Sequence, residues 1–554
     1  MHVSAKRLLA LLAFLFVLGA LGVLVQPAAG STSTSSRPIS LSCMKNGALC
    51  TEVADNPSSY RYIGHDEPSL LFYSNQAGSG NNQTYQLQLP EQATQMPKQD
   101  GTGGTWDFQL HPAFWFGMAL CDDQSAPNPG GSSLAGPQVP CTPNSDSNIY
   151  TGLTPTSSGG TNYIGQHPGT AFMEMQFYPP GWSNFVTDSC DATRWCAALT
   201  IDSLSENMNT GQTLNSTCQN QILGGLEYVN FAYITTSGVP LGPPNPLDAN
   251  GATFTPDPSK QLLMASGDKL SVGLHDTSNG FQVVINDLTS GQSGSMTASA
   301  ANHFGNITFA PTGTSCTEND VNFHPMYSTS SENTRVVWAA HSYNIAYSDE
   351  IGHWEYCNAA SSAFPFLCTS AGVTDSSSGV DGDDYFCAPA STSYLVQVTG
   401  CTGSDEDFDG PSYLPDWPGV SGNLGNATVP KPIVFSSPTF GSGQSYSRVA
   451  FETDLPRIEA SDSQFNPPFC NRTTGANCVN PPPGAKFYPM YVARKGDGGC
   501  SWYEGGPNFP GNTNTFGGEQ AEYGSLLSLP YPGTTGPVMK IDNFRNVLDS
   551  NPCP

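Results

Sequence analysis

Basic side chains are scarce in this chain: 19 lysines and arginines stand against 46 aspartates and glutamates, giving a formal net charge of −27 over 554 residues. Such a surface repels phosphate backbones and anionic lipid, so neither nucleic acid nor a membrane surface is an expected partner. Charged residues of both signs make up only 12%, too few for long solvated helices. Several catalytic motifs are missing as well. No GxSxG, HExxH, P-loop or GxGxxG occurs, so serine esterase, zincin, nucleotide and dinucleotide chemistry lose ground. The absence of any CxxC argues against a redox or zinc-ribbon role.

What the chain has in quantity is turn and cross-link chemistry. Its 58 glycines and 46 prolines suit short strands joined by turns, and the 38% hydrophobic fraction still supplies a core. The opening stretch MHVSAKRLLALLAFLFVLGALGVLVQPAAG pairs Lys6 and Arg7 with an apolar run from Leu8 to Val25 and the small residues Ala28-Ala29-Gly30. That is the pattern of a cleaved secretory signal peptide over 1–30, although the run is long enough for an uncleaved anchor. An exported chain with 16 cysteines is expected to be disulfide-bonded. Neighbouring pairs suggest themselves: Cys43/Cys50, Cys121/Cys141, Cys190/Cys196, Cys357/Cys368, Cys387/Cys401 and Cys470/Cys478. Asn82, Asn215, Asn306, Asn426 and Asn471 are glycosylation sequons.

Along the chain the expected fold is all-β, an antiparallel sandwich of jelly-roll, concanavalin-like type, with a β-propeller as the alternative. In GDKLSVGLHDTSNGFQVVINDLTSG, Leu270, Val272 and Leu274 alternate with polar or small residues. A turn follows at Asp276 to Gly280, and Phe281, Val283 and Ile285 resume the alternation. That is an antiparallel meander with one buried face. RVVWAAHSYNIAYS is rich in β-branched and aromatic residues and reads as strand. The main β domain is expected over 31–357. A Cys-, Asp- and Gly-rich insertion follows over 358–430. A C-terminal β segment, 431–554, is either a separate domain or the completion of the main sandwich.

SDEDFDGPSYLPDW places Asp405, Asp407 and Asp409 at spacings of two, then Gly410, with Asp416 at the twelfth loop position. This is the D-x-D-x-D-G pattern of a calcium loop, to which the Pro411 carbonyl adds a ligand. The final Asp in place of Glu and the lack of flanking helices depart from an EF-hand, and an acidic solvated loop is the plain alternative. A structural calcium is expected here; DGDDYFC, with Asp381, Asp383 and Asp384, is a weaker second candidate.

TAFMEMQFYPPGW, read as a strand, puts Phe172, Glu174, Gln176 and Tyr178 on one face. Carboxylate, amide and aromatic groups together suit a sugar; an ordinary exposed strand face has the same composition. WDFQLHPAFWFGMALC offers Gln109 and His111, with Asp107, in the same way. In HDEPSLLFYSN, Pro68 extends Glu67, so Asp66 and Glu67 precede a strand, either as half of a catalytic carboxylate pair or as a turn cap. In HSYNIAYSDEIGHWEYC, Glu350 is another distant carboxylate; His341, Asp349 and His353 lack metal-ligand spacing.

HDEPSLLFY and NIAYSDEIGHWEY resemble blade strands of β-propeller furanoside hydrolases, whereas the 268–299 meander resembles part of a concanavalin-type jelly roll. The two do not fit one domain, and no family follows from them. The leading expectation is a secreted, monomeric, extracellular glycoside hydrolase acting on polysaccharide, with calcium as structural cofactor. Glu174 would be nucleophile or base, and Glu67, Asp66 or Glu350 the acid. Phe172, Gln176, Tyr178, Gln109 and His111 would bind substrate. The alternatives are a non-catalytic glycan-binding or surface protein, and an acid-active glutamic-type peptidase using Glu174 with Gln176 or another glutamine.

Overall fold

A computed structural model describes residues 69–91, 113–124, 141–147, 169–180, 190–191, 193–204, 206–207, 212–218, 227–327, 329–331, 344–349, 433–453, 491–496, 499–504, 525–531, 538–548 and 550–554. It also describes four short strands between 356 and 399. The 268–299 meander forms as its alternation requires. Lys269–Thr277, Gly280–Asp287 and Ser293–Ala298 pair antiparallel in sequence. Leu270, Val272, Leu274, Phe281, Val283, Ile285 and Met296 all point into the core, while Ser271, Gln282 and Asn286 stay on the solvent side. Asp287 closes the second turn, its carboxylate accepting the backbone N–H of Thr289 at 2.8 Å and of Ser290 at 3.1 Å.

Two antiparallel sheets carry the architecture. From edge to edge the first runs Ser525–Tyr531, Val538–Val547, Arg448–Thr453, Ser69–Tyr73, Ile345–Asp349, Phe114–Asp122, Thr170–Tyr178, Cys196–Leu204 and Glu227–Tyr233, with Phe323–Pro325 also on Phe114–Asp122. The second runs Ser293–Ala298, Gly280–Asp287, Lys269–Thr277, Asn82–Gln88, Val434–Phe435, Gly499–Glu504 and Tyr491–Gly496, with the short Thr439–Phe440 and Gln444–Ser445 strands beside it. Strands on both sides of 358–430 therefore belong to both sheets. Cys368–Ala371, Tyr356–Ala360, Phe386–Pro389 and Val398–Thr399 make a small sheet of their own.

The two large sheets share one core. Leu70, Phe72, Phe116, Met173 and Met175 of the first meet Tyr85, Leu87, Val272 and Ile285 of the second. Rings close the gap: Tyr85 lies 4.3 Å from Phe116, and Phe435 lies 4.1 Å from Tyr347, centroid to centroid. This is the expected all-β sandwich. Two facing sheets with no closed barrel replace the propeller alternative, because the alternating apolar faces bury against each other rather than around a central channel.

Among the described residues the disulfides are Cys121–Cys141, Cys190–Cys196, Cys218–Cys316 and Cys500–Cys553. They are what an oxidising, extracellular environment produces. The first two are the neighbouring pairs expected from sequence. The other two join distant segments that spacing could not reveal. Of the remaining expected partners, Cys43, Cys50, Cys401, Cys470 and Cys478 lie outside the described residues, while Cys357, Cys368 and Cys387 stand on strands of the small sheet. No described helix is long and apolar enough to cross a membrane.

Candidate active site

The face of the first sheet that points away from the core carries the candidate chemistry. On Thr170–Tyr178 the inward positions Ala171, Met173, Met175 and Phe177 are apolar and buried. The period of two therefore turns Phe172, Glu174, Gln176 and Tyr178 outward, as the alternation predicted. On the neighbouring strand, Asp202 stands opposite Phe172 and Thr200 opposite Glu174. On the other side, Trp115 stands opposite Gln176 and Gly117 opposite Glu174.

A short polar chain runs along this face. Gln176 Nε2 donates to Glu174 Oε2 at 2.6 Å. Gln176 Oε1 accepts from Tyr178 OH at 2.5 Å and from Thr200 Oγ1 at 3.0 Å. These contacts fix the amide. Its two hydroxyl partners occupy the carbonyl oxygen, and the carboxylate of Glu174 requires the N–H side to face it. One Nε2 hydrogen is left over, with no acceptor among the described residues.

Solvent reaches this face at few places. Phe172, Tyr178, Trp115, Thr200 and Asp202 are buried, whereas Glu174 and Gln176 are half-buried. The groups of this face that reach solvent are thus a carboxylate and an amide, walled by buried rings. Gly117 makes one wall possible: a Cβ there would stand 2.4 Å from the Trp115 indole, which folds back over the glycine beside Glu174. Toward the sheet edge, Tyr178, Phe231, Tyr233 and Phe254 pack with the Cys190–Cys196 disulfide into an apolar wall.

The structure thus brings together Glu174, Gln176, Tyr178 and Phe172. Phe172 is 4% and Tyr178 1% exposed, so both rings are enclosed beside the half-buried Glu174 and Gln176. The burial follows from their flanks, Phe172 beside Asp202 and Ala119, and Tyr178 inside the apolar wall. Asp66, Glu67, Gln109, His111 and Glu350 lie outside the described residues. So do Asp405, Asp407, Asp409, Pro411 and Asp416 of the calcium loop and Asp381, Asp383 and Asp384. Sequence reasoning passed over Thr200, Asp202 and Trp115. The alternation of CAALTIDSL, with Thr200 and Asp202 at every second position, was the available signal. Comparison of the chain with family models, with curated proteins and with solved structures finds no match.

Proposed function

We propose that the chain is a secreted hydrolase built on the Glu174–Gln176 pair, and that it cuts peptide bonds in an acidic medium. The observation that carries this reading is the locked amide of Gln176, which points one hydrogen at Glu174 and leaves the other for a reacting oxygen. In this scheme Glu174 takes a proton from a water molecule as its oxygen attacks the substrate carbonyl. Gln176 Nε2–H donates to the oxyanion that develops. Glu174 then returns the proton to the departing amine as the C–N bond breaks.

Glycoside hydrolysis is the second reading, and Asp202 favours it. Asp202 and Glu174 are diagonal cross-strand neighbours on one face. Such positions lie roughly 7–8 Å apart along the strands, so the two carboxyl groups rise from one patch of the sheet, as a glycosidase pair must. The buried rings of Phe172 and Tyr178 weigh against it. A calcium ion at 405–416 belongs to either reading, as a structural support of that loop.

The deciding experiment compares wild type, Glu174→Gln and Gln176→Ala on a denatured protein substrate at acid and neutral pH, with reducing-sugar release from a polysaccharide panel in parallel. Peptide release that falls about a hundredfold or more in both variants supports the peptidase, by the scale on which one oxyanion donor acts. Sugar release lost in Glu174→Gln and in Asp202→Asn supports the glycosidase instead. If folded protein releases neither product, the hydrolase reading fails and a glycan-binding role takes its place.

A further inference from the structure

The turn at 141–147 buries a second carboxyl group, remote in sequence from the candidate site. Asp146 is fully enclosed. Its Oδ2 accepts Gly80 N–H at 2.6 Å and the Ser330 hydroxyl at 3.2 Å, and its Oδ1 accepts Ser330 N–H at 3.4 Å. Ser330 Oγ lies 2.5 Å from Ser79 Oγ, and Ser79 Oγ donates to the carbonyl of Gln76 at the surface. Tyr446 OH and Gln83 Nε2 both donate to the Ser79 carbonyl, at 2.5 and 3.3 Å. Gly80 has to be glycine, since a Cβ there would stand 2.4 Å from Thr329 and 2.7 Å from the Asp146 carboxyl carbon. Four separate segments thus converge on one carboxyl group: the link between the sheets at 74–81, the 141–147 turn, the 329–331 segment and the approach to Arg448–Thr453.

No basic side chain among the described residues joins them. Among the described residues, the titratable groups facing Asp146 are Tyr85 from Asn82–Gln88 and Tyr446; burial holds both phenols well above their usual range, so both are neutral. On the far side of the same turn, Asn144 N–H is taken by Asp276, which pairs with His324 Nδ1 at 2.7 Å.

We propose that Asp146 is a proton-operated latch that holds these four segments together in acid and loosens them when it ionises. When protonated, Asp146 donates to Ser330 Oγ, Ser330 to Ser79 and Ser79 to Gln76, so every hydroxyl in the chain keeps an acceptor. When ionised, the group carries an uncompensated charge in a closed interior, which costs far more than a hydrogen bond returns. Burial accordingly pushes the carboxyl from 3.8 up to about 7, against the opposing hydrogen bonds of Gly80, Ser330 and Thr329. The folded state binds the proton more tightly than the unfolded chain. The stabilisation is therefore complete below the unfolded value of 3.8 and is lost as pH rises through about 7.

The test is urea unfolding of the disulfide-intact full chain between pH 4 and pH 8, wild type beside Asp146→Asn. Wild type is expected to lose roughly a thousandfold in its folding equilibrium across that range, and Asp146→Asn, which cannot ionise, to lose much less. Equal pH dependence in the two proteins overturns the latch. If the variant does not fold, hydrogen exchange of the wild type decides. The Gly80 and Ser330 amides should open more readily at pH 8 than at pH 5.5, after correction for intrinsic rates, while the 281–297 amides do not. Uniform protection overturns the proposal. Gln83 Oε1 and Thr329 Oγ1 are buried without partners nearby and would suit a cation, so sodium and calcium are added at pH 7.5. Stabilisation by either ion that disappears in Asp146→Asn overturns the proton latch in favour of a cation site.

Discussion

Gln176 makes three side-chain hydrogen bonds, and two of them serve the third. Tyr178 OH and Thr200 Oγ1 hold the carbonyl oxygen, so one amide hydrogen faces Glu174. Under the peptidase reading, Thr200→Val and Tyr178→Phe should each lower kcat about five- to tenfold with KM little changed, the scale of one net hydrogen bond. A fall confined to KM would remove the positioning role. Three of the five sequons fall among the described residues, and they also separate at this scale. Asn82 is exposed. Asn215 is buried, its Oδ1 accepting Thr217 N–H at 3.0 Å and Cys218 N–H at 3.1 Å. Asn306 is buried with Nδ2 bonded to Asp122 at 2.7 Å. In a host that glycosylates, peptide mapping should therefore find glycan at Asn82 and bare side chains at Asn215 and Asn306 in the folded protein. Spacing marked all three sequons alike, because the motif specifies an acceptor and not its burial.

Strands were the legible level of this chain. Where one face is apolar and the other polar, as at Leu270, Val272 and Leu274 against Ser271, period two identifies both the element and its inner face. The same logic picked out Glu174 and Gln176. It was less informative at Phe114–Asp122, which is buried on both faces, because an unbroken apolar run shows no alternation. Nor does alternation say which strand lies beside which, so Thr200, Asp202 and Trp115 became part of the site only through cross-strand register. One such neighbour relation is directly testable. Gly117→Ala puts a methyl group where the Trp115 ring lies, and the indole has to leave its place beside Glu174. The variant should lose tryptophan burial, seen as a red-shifted emission, and lose activity with its secondary structure retained. Unchanged emission would mean that the ring does not rest on the glycine. At the sandwich centre, Phe116→Ala should cost about 3–5 kcal/mol, read from urea unfolding.

Across the whole molecule, cross-links reach unequal distances. Cys190–Cys196 spans six residues and Cys218–Cys316 spans 98. By chain-entropy reasoning, replacing the long-span pair with serines should cost about 4–5 kcal/mol and replacing the short-span pair clearly less, measured as urea midpoints. Equal losses would place the stabilisation in local packing instead. Burial and the neighbouring Asp287 carboxylate raise the Asp268 carboxyl above its ordinary range. The Arg194–Asp191 and Lys260–Asp257 pairs are local contacts with exposed basic partners, so losing them at low pH removes little.

The strand Ser69–Tyr73 sits mid-sheet between Ile345–Asp349 and Arg448–Thr453. Ser69 and Ser348 share a hydrogen bond across 279 positions of chain. Its two flanking partners are therefore synthesised hundreds of residues after it, so the first sheet cannot close while the ribosome is still making the middle of the protein. The contact order is high, and folding should be slow and post-translational. That delay leaves Ser69–Tyr73 without either neighbour until both have left the ribosome.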